Sequence, residues 1–242
     1  MGSPATSGGS QVNERGMIFN AEMVRAILEG RKTQTRRVLA TYQDAVKFCP
    51  EWDVNGKQIF IVLGEKDHTG MNPVITAIPC PFGQQGDRIW VRETWATLGN
   101  EDGCCVDWND NLCKGDEKSA ARIYRASCEQ RPGDYGLWSI PDDADWKPHT
   151  DNQKFEGAWR PSIHMPRWAS RILLEITDVR VERLNSITES DAEAEGVTDT
   201  GFGDLLVNGF RYLWKSIYGD GSWQANPWVW VIEFKRVEGG AA

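Results

Sequence analysis

The sequence has neither the long apolar segment of a membrane protein nor the opening segment of a secreted one. No apolar run approaches the ~20 residues needed to span a bilayer, and no basic stretch followed by an apolar one opens the chain. We therefore expect a cytoplasmic protein that does not cross a membrane. The first ten residues are rich in Gly and Ser, so we predict a disordered or artificial leader over residues 1–16 and a single domain over residues 17–238.

Residues that commonly bind metals are few or poorly spaced. There are three histidines, and the six cysteines include no Cys-x-x-Cys pair and no His at zinc-finger spacing. Without a signal peptide we expect reduced thiols rather than disulfides. A zinc site made by Cys104, Cys105 and Cys113 is the alternative, but we predict no metal and no cofactor.

Basic charge is scarce overall but concentrated locally. The net charge of −8 argues against a general nucleic-acid coat. Residues 22–39 nevertheless carry five basic and two acidic residues, a local charge of +3, whereas residues 99–145 carry eleven acidic and five basic residues, a local charge of −6. The pattern indicates one basic patch and a separate acidic insertion.

The basic patch follows a short amphipathic helix. Asn20 is placed to cap this helix, Val24, Ile27 and Leu28 form its apolar face, and Gly30 supplies a left-handed residue at its end. The segment that follows concentrates cations and hydroxyl groups: Gly30-Arg31-Lys32-Thr33-Gln34-Thr35-Arg36-Arg37. Lys32 would lie on the opposite face of a straight strand from Thr35, so both can reach one ligand only if the backbone bends. A solvated charged loop is the alternative.

Periodicity predicts a mixed α+β fold. Strands are expected over 58–63, 73–78, 86–93, 121–126, 171–184 and 228–237, and the apolar phase of 171–184 shifts near Thr177-Asp178, which predicts a β-bulge. Helices are expected over 187–195, with Ser186 to Glu189 as a capping box, and over 203–218, with an apolar face of Leu206, Phe210, Leu213, Trp214 and Ile217. We expect irregular structure over 41–57 and 99–159.

A second basic segment, residues 159–171, alternates aromatic and cationic side chains. Trp168 offers a ring on which a base can stack, and cations beside it can contact phosphates, the usual physical basis of single-strand binding. The alternative is a Pro-bounded loop whose Trp residues fill one end of the fold. The candidate nucleic-acid contacts in this segment are His164, Arg167, Trp168 and Arg171.

The order of these segments resembles the ASCH domain family of the PUA-like superfamily. The resemblance rests on Met17 to Arg37 with its Gly-x-Lys-Thr-x-Thr-x-Arg motif, on the Gly-Asp turn and strand of Gly86 to Trp95, and on Ile172 to Arg236. The resemblance covers about half of the chain, and residues from about 40 to 85 and from about 97 to 160 are insertions. The chain looks like the larger forms of the family found in phages and prophages. The implied fold is a small, partly open β-barrel with peripheral helices and long loop insertions.

The resemblance also implies an activity and a site. The smallest bacterial members are similar to amidohydrolases that remove an acyl group from N4-acylcytidine with a lysine, a threonine and a glutamate. By position these residues are Lys32, Thr35 and Glu195 in this chain. A lysine can activate a threonine only if burial or neighbouring cations lower its pKa, and the neighbouring cations are Arg31, Arg36 and Arg37.

Two other functions fit the same pattern. One is an RNA-binding or single-stranded nucleic-acid-binding protein, either a reader of a modified base or a ribonuclease, with no amidase activity. The other is a phage accessory protein that uses the acidic insertion as a protein-binding surface. PUA-like folds host readers, nucleases and hydrolases, so the fold does not decide between them. The predicted partner is a modified nucleoside or single-stranded nucleic acid, and the sequence leaves the oligomeric state open.

Overall fold

The computed structural model describes residues 12–99, 104–109, 111–128, 159–198 and 205–237. It confirms an α+β fold with open sheets, and no sheet among these residues closes into a barrel. The strands are β1 (Glu14–Ile18), β2 (Gln34–Val38), β3 (Lys47–Trp52), β4 (Gln58–Leu63), β5 (Val74–Ile78), β6 (Arg88–Arg92), β7 (Trp95–Thr97), β8 (Arg122–Tyr124), β9 (Leu173–Arg183) and β10 (Trp228–Arg236). The α-helices are α1 (Ala21–Leu28), α2 (Arg125–Cys128), α3 (Glu189–Ala194) and α4 (Leu206–Tyr218).

The main sheet has five strands in the order β1-β6-β9-β10-β2. Apolar residues alternate along β9 and β10, as expected for strands with a buried face, and Ile176, Val179, Ile232 and Phe234 enter the main core. On the opposite face, Val229 and Val231 pack with Phe210 and Trp214 of α4. The sheet is therefore covered on both faces, and β2 forms its edge next to α3 and α4.

The bulge predicted in the long strand is confirmed. Glu233 of β10 pairs with Asp178, whereas the next residue, Phe234, pairs with Ile176, which leaves Thr177 as the extra residue of β9. The bulge shifts the apolar phase by one position, so Ile176 and Val179 both point into the main core.

The prediction of irregular structure over 41–57 was wrong. Residues 47–52 form β3, which pairs with β4 in a separate three-stranded sheet that also includes β5. Polar residues and Pro50 hide this strand in the sequence, because β3 buries only Phe48. Phe48, Phe60 and Val62 join the main core, so this insertion packs onto the body of the fold.

The helices near the candidate site begin and end close to their predicted bounds. Asn20 caps α1 by accepting a hydrogen bond from the backbone N–H of Met23, and Gly30 adopts a positive φ of 75°. The predicted capping box at Ser186 was wrong, since Thr188 caps α3 and exchanges hydrogen bonds with Asp191. The side chain of Asp191, one methylene group shorter than that of Glu, accepts a hydrogen bond from the backbone N–H of Thr188.

Some boundaries differ from the prediction. β1 begins at Glu14, before Met17, because residues 14–16 pair with β6 through the backbone. The strand expected over 121–126 ends at Tyr124, where α2 begins. Residues 100–103, 110 and 129–158, which include part of the acidic insertion, and the predicted helix start at residues 203–204 lie outside the described residues. No helix in the described ranges is long and apolar enough to cross a membrane.

Candidate functional site

Lys32 and Glu195 form a buried ion pair at the end of the main sheet. Nζ of Lys32 donates to Oε2 of Glu195 at 2.6 Å and to the backbone carbonyl of Glu195 at 2.9 Å. Both side chains are almost fully excluded from solvent. Of the three predicted catalytic residues, these two are in direct contact.

The local sequence explains how Lys32 reaches this position. Gly30 ends α1 in the left-handed conformation, and the backbone N–H groups of Arg31 and Lys32 both donate to the carbonyl of Ala26. The chain therefore turns tightly against the end of the helix before β2 begins at Gln34. This turn precedes Lys32 and sets the direction in which its side chain leaves the end of α1.

Gly196 determines how Glu195 reaches Lys32. Its φ of 88° reverses the chain immediately after α3, and a Cβ at this position would lie 2.9 Å from Cβ of Ala26 and 3.1 Å from Cβ of Lys32. No other residue fits without movement of α1 or Lys32. The last turn of α3 can therefore pack directly on the chain that leaves α1, and Lys32 and Glu195 pair through the backbone as well.

Arg36 shares Glu195 with Lys32. Its guanidinium group lies 3.2 Å from Oε1 of Glu195, 3.4 Å from Asp191 and 3.5 Å from Glu182, and its side chain is completely buried. Each carboxylate oxygen of Glu195 thus has its own cationic partner. The arrangement fixes the orientation of the Glu195 carboxylate.

The surroundings of Lys32 favour its uncharged form. Burial is the largest cause, and together with the positive charges of Arg37 and Arg36 it outweighs the attraction of Glu195 and lowers the pKa of Lys32 below its ordinary value of 10.5. An uncharged amine has two N–H groups and one lone pair. Glu195 can accept both N–H groups, which leaves the lone pair of Lys32 available to take a proton.

Thr35 and Glu195 line one pocket between β2 and α4. Its other lining residues are Met23, Arg36, Arg37, Phe210, Leu213, Trp214, Ile217 and Tyr218. The interior is small, about 20 Å³, which is room for about one water molecule. Thr35 is 1% exposed, and no hydrogen bond within the described structure engages its hydroxyl group or joins it to Lys32. One water molecule in this space can bridge the hydroxyl group of Thr35 to neighbouring polar groups.

The aromatic wall of the pocket comes from α4. The rings of Trp214 and Tyr218 lie 4.3 Å apart with an angle of 32° between their planes, and Phe210 lies 6.0 Å from Trp214. Arg36 approaches the ring of Phe210 at 5.9 Å. The pocket therefore combines a charged wall on β2 with an aromatic wall on α4.

Arg31, the first predicted cation, lies outside this pocket. It is exposed and pairs with Glu29, and it lines a larger open groove of about 540 Å³ together with Thr33 and Glu193. That groove contains none of the three predicted catalytic residues. The 30–37 segment thus separates two surfaces. Thr35 and Glu195 line the smaller pocket, and Lys32 lies behind it, bound to Glu195.

The predicted nucleic-acid contacts of residues 159–171 mostly have partners within the protein. Trp168 packs edge to face on Trp95 at 5.5 Å. Arg171 makes a two-point ion pair with the buried Glu93, 3.0 Å at each contact. Arg167 pairs with Glu14 at 2.8 Å, whereas His164 is exposed. These contacts are those expected of the alternative, a loop that fills one end of the fold.

Several residues that surround the site could not be identified from sequence patterns. Arg180 of β9 lies 3.2 Å from Asp191 and 3.0 Å from Gln34, and it also pairs with Glu233, so it connects the acidic side chains behind Arg36. The apolar pattern of α4 identified Phe210 and Trp214 as core residues but not as the wall of a pocket.

The six cysteines include the three that were considered above as an alternative zinc site. No disulfide joins any of the six, all of which lie in described ranges. Cys104, Cys105 and Cys113 border a cavity of about 300 Å³. In the part of the chain that the structure describes, no group of three or more His, Cys, Asp or Glu side chains is arranged to hold a metal ion.

Comparison with known proteins leaves the site to be interpreted from its own geometry. No protein-family model, no curated protein and no solved structure matches this chain.

Proposed function

We propose that this protein is an ASCH-type amidohydrolase that removes an acyl group from the exocyclic nitrogen of an N4-acylated cytosine nucleoside. The observation that supports it best is the buried Lys32–Glu195 pair beside Thr35, since Lys32 has a pKa below its ordinary value. Perturbed lysines of this kind are enriched in sites that move protons. A purely structural ion pair does not require a threonine and an aromatic pocket at the same place.

The proposed reaction begins with Thr35. Its hydroxyl oxygen attacks the carbonyl carbon of the amide, and its proton passes to Nζ of Lys32, directly or through the one water that the pocket accommodates. Glu195 holds both N–H groups of Lys32, so the lone pair of Lys32 faces the transferred proton. Collapse of the tetrahedral intermediate breaks the C–N bond, and Lys32 returns the proton to the leaving amine.

The second half of the reaction regenerates the threonine. A water molecule attacks the carbonyl carbon of the acyl ester on Thr35, and Lys32 takes a proton of that water. Collapse of the second tetrahedral intermediate breaks the ester C–O bond, Lys32 returns the proton to the Thr35 oxygen, and the acyl group leaves as a carboxylic acid. The aromatic side chains of α4, Trp214 and Tyr218, offer faces against which the cytosine ring can pack. Because the interior is small, the ring lies at the mouth and the amide reaches inward.

The test is hydrolysis of N4-acetylcytidine, measured as the release of cytidine. Lys32→Arg and Thr35→Val are expected to abolish turnover, because arginine keeps its proton at any working pH and valine has no nucleophile. Thr33→Val is the matched control, since Thr33 is exposed on the other surface and is expected to leave turnover unchanged. Wild-type turnover by Lys32→Arg would exclude the proposed base.

Lys32→Arg also distinguishes the amidohydrolase from the alternative, a protein that binds single-stranded nucleic acid. If the protein instead binds single-stranded RNA through phosphate contacts, Lys32→Arg retains most of the affinity and Lys32→Ala loses it, because a phosphate contact needs the charge alone. The exposed His164 is the residue of the 159–171 segment that is best placed for such contacts. We further propose that the protein works in the cytoplasm, in a bacterial host.

A further inference from the structure

Three buried hydrogen-bond donors without acceptors belong to residues that line the pocket between β2 and α4. They are Nε of Arg36, Nε of Arg37 and Nε1 of Trp214, and all three residues line the pocket. Within the described structure only two other buried side-chain polar atoms, Oε1 of Gln58 and Nε1 of Trp95, have no partner. Buried donors are normally paired, so their concentration here indicates a ligand with acceptor atoms.

The charge of Arg37 is also without a counter-ion. Its guanidinium group donates to the carbonyl of Ile18 at 2.7 Å and lies over the ring of Phe19 at 5.2 Å, and neither contact neutralises it. No ion pair joins Arg37 to any residue that the structure describes. Arg36, by contrast, is surrounded by three carboxylates. A half-buried cation without a carboxylate is stabilised by a bound anion.

The size of the pocket limits what can enter. An interior of about 20 Å³ admits an oxygen atom of a ligand but not a ring. The exposed side chains of Ile217 and Tyr218 border it, so the rest of the ligand can remain outside. The nearby carboxylate of Glu195 is already bound by Lys32 and Arg36, one oxygen each. Its repulsion of an anion is thereby reduced.

We propose that this pocket is a subsite for a compact oxyanion, a carboxylate or a phosphate monoester, whose oxygen lies between Arg37 and Trp214. The inference rests on the same site as the proposed function and deepens it, since the carboxylate that the proposed hydrolysis releases is an anion of this kind. Binding of the anion is independent of Lys32 chemistry. It can therefore be tested without any hydrolysis.

The test is calorimetric titration of the whole chain with inorganic phosphate and, separately, with acetate, at constant ionic strength in chloride. We expect at least one anion to bind at a single saturable site. Arg37→Gln should weaken that binding about tenfold or more, because a hydrogen bond to a charged group is lost, and Trp214→Phe about fivefold. Lys235→Gln, which removes an exposed charge remote from the pocket, is the control and should bind as the wild type does.

Each result has a defined meaning. Binding of neither anion, or equal binding by wild type and Arg37→Gln, would overturn the subsite. Binding of phosphate alone identifies a phosphate monoester as the bound group. Binding of acetate alone identifies a carboxylate. If circular dichroism shows that Trp214→Phe is not folded, the test depends on Arg37→Gln alone.

The two proposals fail separately. Anion binding that depends on Arg37, without turnover of any acylated cytosine, would keep the subsite and remove the amidohydrolase. Turnover of N4-acetylcytidine by a protein that binds neither anion would keep the amidohydrolase and remove the subsite.

Discussion

The ammonium group of Lys32 lies 2.6 Å from the carboxylate of Glu195, although 163 residues separate them in the chain. The pair joins the turn after α1 to the last turn of α3, and Arg36 binds the remaining carboxylate oxygen. Ordering three charges away from water costs free energy, which nonpolar side chains of the same size would avoid. A buried pair of this kind is therefore weak evidence for a contribution to stability.

Removing the shared carboxylate should destabilise the fold. Glu195→Gln leaves Lys32 and Arg36 buried with a neutral partner, and we expect the free energy of unfolding to fall by about 3 kcal/mol, as when one member of a buried pair is removed. The double variant Lys32→Met/Glu195→Gln should recover part of this loss while remaining inactive. Urea denaturation measures both, and a double variant less stable than Glu195→Gln would show that the pair is mainly structural.

The lowered pKa of Lys32 should appear in the pH dependence of stability. Between its folded-state pKa and 10.5, the unfolded chain binds more protons at Lys32 than the folded chain does. The contribution of Lys32 to the free energy of unfolding therefore rises as the pH increases through this window. Denaturation of wild type and Lys32→Met from about pH 7 to 10 should show a stability difference that shifts in favour of the wild type. A pH-independent difference would contradict it.

Gly196 should tolerate no side chain. Gly196→Ala places a Cβ against Ala26 and Lys32 at a φ of 88°, so we expect a loss of about 2–4 kcal/mol from clash and backbone strain together. Gly86→Ala is the matched control, because Gly86 has the same φ and an added Cβ there meets no atom within 4 Å. Equal losses in the two variants would show that packing against Lys32 contributes nothing.

Much of the frame of the site could be predicted from local patterns, but its details could not. Asn20, Gly30 and the phase shift at Thr177 are local signals, and each led to the observed feature. The capping residue of α3 was misplaced because Thr188-x-x-Asp191 and Ser186-x-x-Glu189 overlap, and only the packing of the helix selects between them. The resemblance to the ASCH family predicted that Lys32 and Glu195 belong to one site. The periodicity of apolar residues carries no information on that contact.

Residues whose partners are remote in sequence were the hardest to interpret. Trp168 and Arg171 have the composition of a nucleic-acid contact, but Trp95 and Glu93, more than 70 residues away, lie against them. In the same way, the apolar face of α4 predicted burial of Trp214 and gave no sign that its indole N–H lacks an acceptor. Such features depend on how separate elements are packed together.

Trp168 should matter for stability rather than for nucleic-acid binding. Trp168→Ala removes the edge-to-face contact with Trp95 and the contact with Arg122, whose guanidinium lies 5.8 Å from the ring centre. We expect a loss of about 3 kcal/mol in the free energy of unfolding. Any affinity for a labelled single-stranded oligonucleotide, measured by fluorescence anisotropy, should be unchanged. A loss of affinity with unchanged stability would restore the base-stacking interpretation.

The decrease in the free energy of unfolding at acid pH should depend on Asp191. Burial alone would raise the pKa of this carboxyl, but hydrogen bonds from the backbone and side chain of Thr188, with the charge of Arg36, outweigh burial and lower the pKa from 3.8 to about 2. Because the folded state holds the ionised form, its stabilising contribution is complete above about pH 4 and is lost as the pH falls toward 2.

Asp191→Asn should therefore lose stability at neutral pH and show a flatter decline of stability between about pH 4 and 2 than the wild type does. Asn keeps an oxygen that can accept the hydrogen bonds of Thr188, so the change isolates the charge that faces Arg36 and Arg180. Asp44→Asn, the loss of an exposed carboxylate, serves as the control. Denaturation at a series of pH values measures all three proteins, and parallel acid limbs for wild type and Asp191→Asn would mean that the Asp191 charge is not what holds α3 against Arg36.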